Sequence, residues 1–181
     1  MPGATASQTI GPYWHLIEHP EMADLTRFGA AGERMVFIGQ VIDGDELPVT
    51  DACVEIWQVD PVADETFPGY GRTATDPQGM FRFVTIRPDS VAGLRGAGGN
   101  APQAPHLAIT ILARGLVKAL HTRAYFDGDA LNESDPVLGM IEPPGRRDTL
   151  MARPAAEEAG TRVWRLDLRL QGERETLFME I

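Results

Sequence analysis

Residues 102–126 read PQAPHLAITILARGLVKALHTRAYF, and this stretch restricts the fold more than any other. His106 to Ala113 is apolar and rich in β-branched residues, as a buried strand requires. Arg114 and Gly115 interrupt the run where a tight turn can form. Val117 to Phe126 then reads as a second strand. Side chains alternate along a strand, so Val117, Ala119, His121, Arg123 and Tyr125 share one face. The spacing predicts a central β-hairpin that carries two histidines and an arginine among mainly apolar neighbours.

Other segments repeat the short-strand pattern. Met35 to Ile42 is a strand, and the turn formers Asp43-Gly44-Asp45 follow it. Ala52 to Val59 is the next, with Val54, Ile56 and Gln58 on one face and Glu55, Trp57 and Val59 on the other. Residues 60–71 form a loop, and Arg72 to Thr75 a short strand. Asp76-Pro77-Gln78-Gly79 is a turn that leads into a strand over Met80 to Ile86. Residues 87–105 are a long loop rich in Gly, Pro and Ala, a length usually tied to function or to a covering partner. Short helices and turns are expected over 127–153. Strands are expected over Thr161 to Leu170, where Trp164, Leu166, Leu168 and Leu170 alternate with polar residues, and over Glu175 to Ile181. Seven or eight short strands without a sustained helical period predict an all-β antiparallel sandwich over residues 35–181. Residues 1–34 read as an irregular arm that orders only by packing on its own domain or on a partner, with a short helix over Met22 to Phe28.

The chain of 181 residues carries a formal net charge of −10 and is 43% hydrophobic. That charge argues against nucleic acid or an anionic membrane as partner. It also means that an anionic ligand needs a local cation. Cys53 is the one cysteine, so no intramolecular disulfide forms, which fits a reducing compartment. No apolar run reaches membrane-spanning length, and the first residues lack the pattern of a secretion signal. A soluble, cytoplasmic protein is the expectation.

No phosphate-binding glycine loop, nucleophile elbow or paired-cysteine zinc spacing is present. Cys53 sits within an apolar strand and reads as a small core residue. His106 and His121 could be ligands on neighbouring strands, but a metal site needs three or four convergent donors, and a structural role is the simpler reading. Tyr70, between Gly69 and Gly71, reads as a loop contact or a lid over a ligand. Arg123 stands out. A guanidinium on a strand face must meet an internal carboxylate, a polar network or a bound anion.

Several separated motifs, in order, resemble the intradiol ring-cleaving dioxygenases. They are SQTIGPY at 7–13, IGQVIDGDELPVTDACVEIWQVD at 38–60, GRTATDPQGMFRFVTIRP at 71–88, APHLAITILARG at 104–115, HTRAYFDGD at 121–129 and RLDLRLQGERETLF at 165–178. The resemblance implies a β-sandwich. It also implies a reaction in which a non-haem ferric ion, held by two tyrosines and two histidines, binds a catechol that dioxygen then opens between its hydroxyl carbons. For 3,4-dihydroxybenzoate the product is 3-carboxy-cis,cis-muconate, a step of the β-ketoadipate route of aromatic catabolism.

This chain departs from that ligand set. His106 falls at the first histidine position, but Ala108 occupies the second. The tyrosine positions fall at about Val91 and near Glu65, and the arginine before the histidine pair is replaced by about Gln103. The resemblance therefore implies an alpha-type subunit without catalytic residues or metal of its own. A homologous beta-type subunit would carry the Fe(III), in a larger assembly of such pairs. It also implies substrate-binding roles for Thr9, Gly11, Pro12 and Tyr13 in the arm, over the partner's iron, and for Arg123 as anchor of the substrate carboxylate. Two other readings remain open on the sequence: a metalloenzyme using His106, His121, Tyr70 or Tyr125, and a β-sandwich binding module with no enzymatic assembly.

Overall fold

The computed structural model describes residues 9–11, 13–93 and 101–180, without the side chains of His15 and Ile17. Nine strands are formed among them: β1 Arg34–Ile42, β2 Cys53–Trp57, β3 Tyr70–Ala74, β4 Met80–Ile86, β5 His106–Leu112, β6 Leu120–Phe126, β7 Met151–Glu158, β8 Thr161–Arg165 and β9 Leu168–Arg169. Their order is β3-β2-β5-β6-β7-β8-β1-β4, with β9 beside β1. One half, β3-β2-β5-β6, faces the other, β7-β8-β1-β4, and β7 joins them. It pairs with β6 at Met151 and Ala152, then with β8 from Arg153 onward. The all-β sandwich is as expected. Most pairings are antiparallel, and β1–β8, β1–β9 and β6–β7 are parallel.

The alternation read from the sequence places the core. Val54 and Ile56 of β2, Leu107, Ile109 and Ile111 of β5, and Phe37, Phe81 and Phe83 of β1 and β4 are buried between the halves. Burying each such side chain contributes about 1.5–3 kcal/mol. Phe37 and Phe83 flank Phe81 at ring-centroid distances of 5.6 and 6.2 Å. Cys53 is fully buried on the other face of β2, the face of Glu55, and burial pushes its thiol up to about 12, so it is an inert structural residue. Leu25 also lies in the core, and its N–H donates to Val84 O at 2.8 Å. The part of the N-terminal segment from Pro20 onward thus packs on the chain's own sandwich.

Four expectations need correction. The hairpin between β5 and β6 turns over residues 113–119, not at Arg114-Gly115 alone, and Val117 is exposed rather than in a strand. Residues 151–158 form β7, a strand hidden from pattern reading because Met-Ala-Arg-Pro-Ala-Ala-Glu-Glu has little β-branching and only Ala152 is buried. The segment from Glu175 is no full strand. It makes a bridge at Met179 to His121 and a bond from Thr176 N to Arg169 O. The helix expected over 22–28 is instead a single 3-10 turn, Pro20–Ala23, with a turn after it.

A second, smaller core lies on the outer face of the β3-β2-β5-β6 half. Ala104, Tyr125, Leu138, Ile141 and Leu150 pack there. The short helical turns Ala130–Glu133, Pro136–Gly139 and Pro144–Leu150 form the cover expected over 127–153. Asp135 fixes the middle one. Its carboxylate accepts from Val137 N and Leu138 N, both at 2.8 Å, with Pro136 at the first helical position. This cover sets one wall of the candidate site.

Candidate functional site

The outer face of β2, β5 and β6 carries the polar residues singled out above. Residues two apart share a face, so His106, Ala108 and Thr110 of β5 stand on it with His121 and Arg123 of β6. The register sets Tyr125 opposite His106, Arg123 opposite Ala108 and His121 opposite Thr110. Two cavities open there. One, about 730 Å³, is walled mainly by Trp57, Ala108, Arg123, Met140, Ile141 and Met179. The other, about 440 Å³, is lined by Ile10, Gly11, Tyr13, Trp14, Glu55 and Arg72, among others. Thr110 borders both.

Gly11 and Tyr13 of the arm are therefore on the same face of the sandwich as Arg123 but line a separate cavity within this chain. Gly11, with a φ of +72° that an L side chain rarely adopts, turns the arm at the smaller cavity. Trp14 is buried beside it and donates from Nε1 to Asp51 O at 3.3 Å, which holds the arm to the domain. Tyr13 projects outward with 72% of its surface exposed. Thr9 is exposed, and Pro12 lies outside the described residues.

Arg123 is half-buried. Its Nη1 donates to Gln103 Oε1 at 2.7 Å and to Tyr125 Oη at 3.1 Å. No carboxylate among the described residues forms a salt bridge with it, although the chain has 26 Asp and Glu residues. The internal ion pair weighed from the sequence is therefore not what is observed. Among the described residues the guanidinium meets a neutral network, with no carboxylate bonded to it.

His106 Nδ1 lies 2.7 Å from Ala104 O. A carbonyl only accepts, so Nδ1 carries the proton. Burial first, and then the Arg123 charge, hold its pKa below the ordinary histidine value. The imidazole is thus neutral in the fold, while the unfolded chain takes up a proton near pH 6.5. Between the unfolded and the lower folded pKa the unfolded state binds more protons, so stability falls as the pH drops through that window. His106→Gln is expected to flatten the decline of unfolding free energy on acidification below about pH 6.5. Urea melts at stepped pH measure it, and an unchanged slope would show that His106 is not the group responsible.

Tyr70 begins β3, where the sequence reads as a loop over 60–71, and its side chain is engaged within the chain. Its hydroxyl donates to Glu55 Oε1 at 2.8 Å and its ring lies against Trp57 with centroids 4.3 Å apart. Arg72 donates to the same Glu55 oxygen from Nε at 2.9 Å and Nη2 at 2.6 Å. Sequence reasoning missed this cluster, although Tyr70 and Arg72 face Glu55 by the ordinary alternation of β3 against β2. Trp57 was placed on the correct face, but its 53% exposure beside the larger cavity was not foreseen.

A ferric ion does not fit this face of the chain. At the two histidine positions implied by the resemblance stand a single neutral imidazole and the methyl group of Ala108, with the Arg123 cation opposite. The Tyr125 hydroxyl is buried and hydrogen-bonded to Arg123 and Asp135, and burial raises its pKa, which disfavours the phenolate. Among the described residues no group of three His, Cys, Asp or Glu side chains converges. Glu65 is exposed, and Val91 bridges Gln103 through two backbone hydrogen bonds.

The dioxygenase family model covers residues 11–172, and the chain belongs to that family, the intradiol ring-cleaving dioxygenases. Among its relatives, the protocatechuate 3,4-dioxygenase alpha chain of Pseudomonas putida is 38% identical, over 97% of this chain and 96% of that one. The alpha chain from Burkholderia cepacia is 36% identical over 98% and 97%. The beta chain from Burkholderia cepacia is 32% identical over 80% of this chain and 67% of its own length. The crystal structure of 3-chlorocatechol 1,2-dioxygenase from Rhodococcus opacus shares the fold, with a TM-score of 0.64 at 22% identity, over 92% of this chain and 72% of that one.

Proposed function

We propose that this chain is the alpha-type subunit of a protocatechuate 3,4-dioxygenase and binds substrate at a site shared with a homologous beta-type subunit that holds Fe(III). The pair, within a higher oligomer, opens 3,4-dihydroxybenzoate with dioxygen to 3-carboxy-cis,cis-muconate, as part of the β-ketoadipate route. The chemistry at the ring belongs to the partner's metal. This chain's own residues bind and orient. Thr9, Gly11, Pro12 and Tyr13, in an arm over residues 1–34 that reaches the partner, wall the substrate, with the small residues leaving room for a flat ring. Arg123 attracts and orients the carboxylate. The lone, buried Cys53 supports a place in the cytoplasm.

The observation that carries this reading is the state of Arg123. A half-buried cation whose hydrogen-bond partners among the described residues are neutral, beside a mainly apolar cavity on an acidic chain, is suited to a small organic anion. The relatives named as alpha chains match over nearly their whole length, which supports the choice of subunit type.

The test adds the purified chain to its iron-bearing partner and follows loss of 3,4-dihydroxybenzoate. Ring opening is expected to rise with added chain until the two are equimolar. A partner that works equally well without this chain would contradict the proposal. In the assembled enzyme, His106→Gln is expected to leave the iron content as it was, because no further ligands converge on His106 among the described residues. Loss of iron on that substitution would mean that a metal is held here after all.

A further inference from the structure

We infer that Gln103 and Tyr125 are positioning residues that hold the Arg123 guanidinium by one edge and keep its charge available to the substrate carboxylate. This rests on the carboxylate role proposed for Arg123 and deepens it.

Only Nη1 of Arg123 donates within the described residues, to Gln103 Oε1 at 2.7 Å and Tyr125 Oη at 3.1 Å. Two acceptors on one nitrogen fix the orientation of the planar fork and leave Nη2 and Nε without an acceptor among the described residues. Both acceptors are neutral, so neither cancels the charge.

The acceptors are themselves held. Gln103 is buried, its backbone N–H and C=O both bond Val91, and its Nε2 donates to Ala92 O at 3.3 Å. The amide orientation is thereby set with Oε1 toward Arg123. Tyr125 is fully buried, and its hydroxyl donates to Asp135 Oδ1 at 3.4 Å, leaving its lone pairs for Arg123. Asp135 is buried too. Its negative charge is taken up by the N–H groups of Ala104 at 2.7 Å and of Val137 and Leu138. The anion is therefore one phenol away from the guanidinium and bound to backbone rather than to Arg123. A carboxylate at position 103 would differ from the present amide in one respect above all: it would form an internal ion pair and occupy the cation.

That difference supplies the test. In the assembled enzyme, Gln103→Glu keeps the shape and moves one charge. It is expected to raise KM for 3,4-dihydroxybenzoate by about tenfold, the loss of roughly one charge-assisted hydrogen bond, with kcat unchanged. KM for catechol, which has no carboxylate, is expected to stay the same, and the melting temperature not to fall. Tyr125→Phe is expected to act in the same direction more weakly. A residue with a merely structural role would move both substrates together. Should Arg123→Ala raise KM for 3,4-dihydroxybenzoate selectively while Gln103→Glu leaves it unaltered, the positioning role is refuted and the carboxylate role of Arg123 stands. Should Arg123→Ala affect both substrates alike, the carboxylate role itself is refuted, and this inference with it.

Discussion

Arg123→Ala is expected to raise KM for 3,4-dihydroxybenzoate by about 10- to 100-fold in the assembled enzyme, corresponding to about 1.5–3 kcal/mol for hydrogen bonds to a charged group. KM for catechol is expected to change less than about twofold, since uniform contacts to the ring are untouched. The selectivity comes from geometry. Arg123 is half-buried, has no carboxylate partner among the described residues, and borders an apolar wall that includes Trp57, Met140 and Ile141. Low exposure limits solvent screening, so the charge acts more strongly than it would on the surface. Truncation also frees Gln103 Oε1, a buried acceptor, which adds a modest stability loss that both substrates share. Steady-state kinetics on the two substrates at one salt concentration separates these effects. Equal losses on both substrates would leave Arg123 a structural residue.

The largest stability effect is expected at Gly39. This residue lies in β1 where the chain leaves β8 for β9. Leu166 N donates to Ile38 O at 3.0 Å, and Gln40 N donates to Asp167 Oδ1 at 3.1 Å. A Cβ at Gly39 would stand 1.9 Å from Leu166 O and 2.5 Å from the Phe81 ring. The ring belongs to the core and Leu166 O to the backbone, so neither can simply swing away. Gly39→Ala must push β1 from the β8–β9 crossing or displace Phe81. Overpacking of this kind costs about 1–3 kcal/mol, and the backbone clash places Gly39→Ala at the upper end. A melting temperature lower by roughly 6–12 °C follows for a chain of this size. Thermal unfolding followed by circular dichroism checks it, and a shift within about 2 °C would show that the crossing yields more easily than close packing allows.

The sandwich was legible because its core strands obey simple alternation. β4 falls on the expected residues 80–86, and Val54, Ile56 and Gln58 face inward together. What failed to show was structure held by context. β7 forms because Met151 and Ala152 add to β6 and Arg153 onward adds to β8, a pairing that its own composition does not announce. The site was partly legible for the same reason. His106 and Arg123 stand out as polar residues on an apolar hairpin, and strand periodicity puts them on one face. The partners of Arg123 were not foreseen. Gln103 lies outside the strands, and its approach depends on the bridge to Val91; Tyr125 is close by alternation, but its link to Asp135 depends on the helical cover. That Arg123 lines a different cavity of this chain from Gly11 and Tyr13 depends on the contact of Trp14 with Asp51, which no periodicity encodes.

The central claim is that this chain shapes and orients a substrate whose metal another chain holds. The most direct measurement is iron per chain, by atomic absorption, for this chain alone and for its complex with the beta-type partner. The account predicts no stoichiometric iron in the lone chain and one iron for each pair in the complex. A lone chain that holds one iron and opens 3,4-dihydroxybenzoate would contradict it.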